Sequence, residues 1–473
     1  MKTHTFKGGI HPPEQKELSE NFPIEDIMPF TKTVYIPVTM GGAPNQPIVK
    51  VGDTVVRGQV IAKSDAFMSA PVHASISGTV KKIETRTLTG CVEAPCIVIA
   101  QDDSTDVNAT AFLEPLDPFT CSKEDALKRV KEAGIVGMGG AAFPTHVKLN
   151  PPAGKVIEYV LANAAECEPY LTIDDRTIIE RTDKIIDGIR IAMQITGAPK
   201  GIICLEDNKA HLMPILIEAI NKAYNNDATR PDGTGNAVEI CLCKTKYPQG
   251  GEKNLVQSAI GREIPSGGLP ADIGCVIQNV GTLTAISEAF REGKPLIDRG
   301  LTISGSAVAT PKNIRVPVGT LIGDLIPTNV TLNPGVAKII SGGPLMGFCM
   351  PNANFPVAKN TSGVLFLTKA ETYLVDEDPC IGCGRCLEAC SCRLNPVMIK
   401  RALEADNMDL ALKFGLMDCV ECGACAYTCP AHVRLVQRFR IGKSIFRAQL
   451  AAKKAQEAAA KAKAEEAKKE GEK

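Results

Sequence analysis

Residues 136–149 read VGMGGAAFPTHVKL, and how this stretch folds decides what kind of domain surrounds it. Gly137, Gly139 and Ala142 satisfy the G-x-G-x-x-G/A spacing of a dinucleotide-binding turn. That turn needs a strand before it and a helix after it. Here residues 122–134, SKEDALKRVKEAG, read as a helix with Ser122 as N-cap, Asp125 three residues on and Gly134 as stop. Pro144 interrupts the helix that should follow. The pattern predicts a glycine loop outside the Rossmann setting, and on this stretch alone a plain turn serves equally well.

Further along, helix and strand alternate. VIEYVLAN, KGIICLE and AVEICLC read as buried strands; RTIIERTDKIIDGIRIAMQITG and AHLMPILIEAINKAY read as helices. Residues 118–293 are therefore expected to form an α/β domain with ligands at the strand ends. Three more loops stand at such ends. NAAECEP (163–169) follows a strand, YPQGGE (247–252) precedes a helix, and QNVGTL (278–283) joins strand to helix.

On either side the pattern changes. After a polar arm (1–30), residues 31–105 alternate short Val/Ile/Thr-rich runs with glycine turns and resemble the hammerhead β-domain of biotinyl and lipoyl carriers. The carriers' modifiable lysine is missing: the hairpin reads SDAFMSAP, with Phe67, and Lys63 lies in the preceding strand. A structural or docking module is expected. Residues 296–350 return to short strands and look like a β-grasp of the SLBB type, either ligand-binding or a spacer. The Ala/Lys/Glu-rich residues 448–473 have helix propensity without an apolar face and predict a solvated tail.

Half of the 18 cysteines are scattered; the rest lie between Cys380 and Cys429. CIGCGRCLEAC and CVECGACAYTCP each follow C-x2-C-x2-C-x3-C, the run that ligates cubane iron–sulfur clusters, with the fourth cysteine serving the other cluster. The assignment is Cys380, Cys383, Cys386 and Cys429 to one cluster, and Cys390, Cys419, Cys422 and Cys425 to the other. Zinc is the alternative for soft thiolates, but its four-cysteine sites pair two C-x2-C knuckles. Pro430 follows Cys429 as in ferredoxins, whereas Ser391-Cys392 follows Cys390 and leaves Cys392 as an alternative candidate to Cys390. The long linker PVMIKRALEADNMDLALKFGL predicts an all-helical, two-cluster ferredoxin-like domain over 365–446. Such a pair relays single electrons, so a two-electron partner is expected elsewhere in the chain.

Charge excludes an obvious nucleic-acid partner, since 53 basic residues balance 53 acidic ones. No apolar run reaches the roughly 18 residues of a membrane span, and the N-terminus lacks a signal-peptide core. The segment HVRLVQRFRIGKSIFRAQ is basic enough to face lipid or an acidic partner, or simply solvent.

With its companions, GMGGAAFPTHVK resembles the flavin loop of the NADH-oxidising flavoprotein subunit of complex I, whose pattern is GRGGAGFPTG followed by a lysine. NAAECEP, YPQGGE and QNVGTL resemble that family's NADEGEP, YxxGEE and NNVETL. The resemblance implies non-covalent FMN and NADH as substrate. Gly137, Gly139, Gly140 and Ala141 would bring backbone to FMN, and Lys148 would meet an anionic part of it. Asn163, Gly250, Gly251, Glu252, Gln278 and Asn279 would complete the cofactor site. Glu166, Glu168 and Phe143 are the expected catalytic residues, the glutamates bonding ribose or nicotinamide and the ring packing near the nicotinamide. Ala165, Gly251 and Gln278 depart from the pattern. Cys167 reads as a small packing residue.

With FKGGIHPPEQKEL at its start, the order of domains resembles the RnfC family, peripheral subunits of the ion-translocating Rnf electron-transport complex. Membership implies electron exchange between NADH and ferredoxin at the cytoplasmic face of the bacterial membrane. Integral membrane subunits and a ferredoxin-like iron–sulfur subunit would be partners, with ferredoxin reached indirectly. Rival readings are a soluble cobalamin reductase of the PduS kind, a cluster-relay adaptor that does not oxidise NADH, and an NqrA-like protein, which lacks clusters.

Overall fold

The computed structural model describes residues 2–103, 105–225, 237–372 and 375–471, with side chains of the last helix described as far as Glu457. The chain forms two compact units. One is Met1–Phe6 with His11–Leu374, the other Lys7–Ile10 with Val375–Lys473.

At the heart of the first unit lies a four-stranded parallel sheet in the order Val238–Cys243, Lys200–Glu206, Tyr159–Ala164, Cys275–Asn279. Its strands are apolar because both faces are covered. Helices Ile173–Thr196 and Val280–Arg291 bury one face, and helix Glu252–Ile260 packs on the other. The two covering helices touch at Gly188, where a Cβ would stand 2.0 Å from the Leu283 carbonyl oxygen. The helix before the glycine loop spans Lys123–Glu132, and the Ser122 hydroxyl caps it by accepting from Asp125 N at 3.1 Å.

The hammerhead-like part folds as two small antiparallel sheets. One is ordered Thr33–Pro37, Val92–Ala100, Gly78–Leu88, Thr54–Val55, the other Gln46–Pro47, Val60–Lys63, Val72–His73. Its lysine-free hairpin is docked: the Phe67 carbonyl lies 3.0 Å from His146 Nε2, just after the glycine loop. Gly42 permits this approach, since a Cβ there would stand 2.8 Å from Pro144 Cγ.

The third sheet is larger than residues 296–350 suggested. Asp298–Ser304, Lys312–Pro317, Val336–Ser341 and Phe348–Met350 are joined by Ile24–Asp26 from the arm and by Gly363–Thr368. The cluster domain therefore does not begin at 365. Residues 365–368 lie in a strand whose backbone bonds are committed to this sheet, and the boundary moves beyond them.

The second unit contains helices Arg385–Ala389, Pro396–Glu404, Met408–Lys413, Ala424–Tyr427 and Leu435–Gly471, and no strand among its described residues. The linker is helical as expected, and the last helix runs on through the Ala/Lys/Glu segment, whose residues 472 and 473 lie outside the described range. Of the basic residues near its start, Arg438 pairs with Glu377, while Arg440 and Lys443 pair with Glu421. Three of the charges proposed for lipid or a partner are thus neutralised within the unit.

Gly188→Ala should drive a methyl into the Leu283 carbonyl and cost about 1–3 kcal/mol. Calorimetry should show the α/β transition several degrees lower, with the iron content unchanged.

Candidate functional site

In the parallel sheet, Tyr159–Ala164 lies between Lys200–Glu206 and Cys275–Asn279, so the strand order reverses beside it. Crevices form outside the carboxyl ends of strands at such switch points. Asn163 and Asn279 are register partners across this one, and the four loops singled out in the sequence converge there.

The glycine loop closes on itself. Gly137 N donates to Phe143 O at 2.9 Å, Thr145 N to Ile135 O at 3.0 Å, and Val136 bridges Pro144. The helix that directly follows it is the single turn Thr145–Lys148, so this is no Rossmann turn. Met138 N donates to Thr282 Oγ1 at 3.0 Å, and Arg299 donates to Met138 O at 3.2 Å. Gly139 passes so close to Asn279 that a Cβ would stand 3.1 Å from Nδ2, whereas one on Gly140 would meet nothing within 4 Å. The loop therefore presents bare backbone and, beside it, the exposed ring of Phe143. Ala141 is exposed on the same turn.

Opposite, Asn163 Nδ2 donates to Gly250 O at 2.8 Å, and Gly250 N donates to Cys167 Sγ at 3.3 Å. Cys167 is therefore a hydrogen-bonded packing group, its thiol pushed far up by burial. Gly251 is the N-cap of helix Glu252–Ile260. Lys148 and Glu252, both expected at the cofactor, form an ion pair with each other. Asn279 caps helix Val280–Arg291 through Gly281 N at 2.9 Å and donates to Asp174 Oδ2 at 2.7 Å.

Sequence reasoning set Glu166 and Glu168 against the dinucleotide; the structure turns both carboxylates inward. Glu166 accepts from Asp174 N at 2.6 Å at the start of helix Ile173–Thr196, and burial pushes its carboxyl up to about 8 against the pull of Lys16. Glu168 accepts from Leu345 N at 3.0 Å and Met346 N at 2.9 Å, and burial pushes it up to about 7. Glu166 and Tyr170 hold positive φ, a strained state for residues with side chains. What holds this loop was missed in the sequence. Lys16, from the arm, is buried and donates to the carbonyls of Glu166 (2.8 Å), Glu168 (3.2 Å) and Leu171 (2.5 Å). Lys209 donates to Ala165 O at 2.8 Å. The only hint was a lysine inside the GGIHPPEQKEL motif.

These segments suit a polar, phosphate-bearing cofactor. Among the described residues, Thr145 Oγ1, Gln249 Oε1 and Gln278 Nε2 are buried without a hydrogen-bond partner, and buried polar atoms normally have one. Loop backbone and a lysine are the donors an anionic group needs.

The second unit gathers its cysteines into two cups. Cys380, Cys383, Cys386 and Cys429 line one with Val397 and Leu435. Cys390, Cys419, Cys422 and Cys425 line the other with Ile399 and Phe439, and Cys392 lines it too. Each run thus places three thiols in one cup and its fourth in the other. Leu394 N donates to Cys390 Sγ at 3.3 Å and Glu421 N to Cys419 Sγ at 3.4 Å. Among the described residues no three His, Cys, Asp or Glu side chains converge closely enough to hold a single metal ion. All-sulfur donors spaced for something larger fit an iron–sulfur cluster.

Comparison with known proteins agrees with these two constructions. The Nuo51 FMN-binding domain matches residues 130–288, the RnfC barrel sandwich hybrid domain 4–104, and the 4Fe-4S dicluster domain 372–430. The C component of the proton-translocating ferredoxin:NAD(+) oxidoreductase complex of Clostridium ljungdahlii is 45% identical over 95% of this chain and 96% of its own length. Its counterpart in the Na(+)-translocating complex of Acetobacterium woodii is 40% identical over 95% and 98%. The C component of the ion-translocating oxidoreductase complex of Rhodobacter capsulatus is 38% identical over 94% and 83%. FMN and 4Fe–4S clusters are therefore the cofactors of an oxidoreductase subunit, and likeness over nearly the full length of both chains makes this one a member of the RnfC family, the C components of ion-translocating oxidoreductase complexes.

Proposed function

We propose that this chain exchanges electrons reversibly between NADH and ferredoxin, through FMN and two 4Fe–4S clusters, within a membrane complex that translocates ions. The carrying observation is the convergence of four loops at the switch point of the parallel sheet, in a chain that also builds two cysteine cups. When bound here, FMN would supply the chemistry that takes two electrons from NADH and passes them on singly, in the units that 4Fe–4S clusters carry.

The residues divide that work. Gly137, Gly139, Gly140 and Ala141 bring main-chain donors to the flavin side, and Lys148, released from Glu252, meets its anionic part. Asn163, Gly250, Gly251, Gln278 and Asn279 frame the crevice. Phe143 offers the exposed ring for nicotinamide. Glu166 and Glu168 act from behind, as the groups that shape the 163–169 loop on Lys16. Cys380, Cys383, Cys386 and Cys429 hold one cluster; Cys390, Cys419, Cys422 and Cys425 hold the other.

The partners on this reading are a ferredoxin-like iron–sulfur subunit and integral membrane subunits, met at the cytoplasmic face. Among the described residues no helix is long and apolar enough to cross a membrane, which accords with a peripheral place. Two relatives are named for different ions, protons in one and Na+ in the other, so the choice of ion is assigned to other subunits.

Anaerobic NADH added to the purified chain, carrying about eight irons, should bleach the flavin and then reduce the clusters. A flavin that NADH leaves oxidised would reduce the chain to a relay adaptor. Lys16→Met removes the donor from three carbonyls, of which the buried Leu171 carbonyl costs about 1–3 kcal/mol when left unpaired. FMN content should fall and KM for NADH rise several-fold while iron stays constant. Unchanged FMN content and KM would remove Lys16 from the site.

A further inference from the structure

The second cup holds one sulfur more than a cubane requires. Its lining includes Cys390, Cys392, Cys419, Cys422 and Cys425, whereas the first cup has four cysteines. The two halves of the module explain how the extra thiol arrives. Residues 390–393 form a turn closed by Arg393 N donating to Cys390 O at 3.1 Å, and residues 429–432 form its twin, with His432 N donating to Cys429 O at 3.1 Å. The fourth residue of each turn is left-handed, Arg393 at φ 55° and His432 at φ 50°. The third residue is Ala431 in one turn, lining the first cup, and Cys392 in the other, lining the second. A thiol thus takes the place of a methyl group that faces a cluster site.

The residue between the two thiols differs as well. Ser391 stands where the twin turn has Pro430, and its hydroxyl is buried without a hydrogen-bond partner in the lining of the same cup. The main chain here is closely packed. Gly8, at φ 80°, packs so closely that a Cβ would stand 2.6 Å from the Cys390 carbonyl oxygen, and Gly9 N donates to Ala389 O at 2.9 Å. Both thiols thus line the cup from one closely packed turn.

We propose that Cys392 is an alternate fourth ligand of the second 4Fe–4S cluster, exchanging with Cys390 at one iron. The proposal rests on the iron–sulfur reading of this cup. In the exchange, the iron bond to Cys392 sulfur forms as the bond to Cys390 sulfur breaks; the Cys392 thiol gives up a proton, the released Cys390 thiolate takes one, and no electron moves. Cys390 Sγ accepts from Leu394 N at 3.3 Å, and hydrogen bonds to a ligand sulfur tune such clusters.

The test uses the full chain, prepared anaerobically as wild type, Cys390→Ala, Cys392→Ala and the double variant, with iron, acid-labile sulfide and low-temperature EPR of the reduced protein. Wild type and both single variants should carry about eight irons per chain, Cys390→Ala with one altered cluster signal, and the double variant about four. Loss of about four irons from Cys390→Ala alone, or retention of eight by the double variant, overturns the proposal. Should Cys390→Ala fail to fold, a chelator challenge decides: Cys392→Ala should lose its second cluster several-fold faster than wild type, and equal rates overturn the proposal. Wild type with only four irons would instead sink the two-cluster reading, and this proposal with it.

Discussion

A single buried amine organises the candidate flavin site. Lys16 gathers three carbonyls of the 163–171 segment and lies 3.8 Å from the Glu166 carboxylate. From there the contacts continue without a break. Glu166 receives the first amides of helix Ile173–Thr196, Asp174 receives Asn279, and Asn279 caps the helix that supplies Thr282 to the glycine loop. Buried polar groups destabilise a fold unless all are satisfied. This network therefore holds its loops in one arrangement, including the positive φ of Glu166, which nothing local would favour.

The cluster module follows a different constraint. Its core is small, and its helices are short apart from the last. The crossing of each fourth cysteine into the opposite cup makes either half incomplete without the other. Burial pushes the Cys419 thiol up to about 11 and the Cys422 thiol up to about 12, and a bound metal offsets that cost by drawing the proton off its ligand thiol.

Much of the architecture was legible because it is local. The Ser122 cap, the three buried strands, the helical cysteine linker and the absence of a Rossmann helix after Pro144 follow from periodicity, capping and the φ restraint of proline. The cysteine sets were legible because C-x2-C-x2-C-x3-C leaves little geometric freedom. The third sheet was read too short, because Ile24–Asp26 and Gly363–Thr368 are a brief polar strand and a detached apolar one, and nothing in either names its partner. The basic helix could be read as facing lipid, an acidic partner or solvent, because Glu377 and Glu421, which pair with Arg438, Arg440 and Lys443, come from elsewhere in the chain.

The sequence by itself determined the chemistry: a glycine-rich loop with three companions for FMN, and two four-cysteine runs for iron–sulfur clusters. Only the tertiary structure decided what each charged side chain does there. Glu166 and Glu168 looked like substrate ligands, yet the fold turns them onto backbone amides; Lys16 looked like part of a polar arm, yet the fold buries it as a clamp. Residue types and spacing fix which atoms can bind a cofactor, but a carboxylate or amine takes its partner from whatever long-range packing brings within about 3 Å, and that distance is not written in any local pattern.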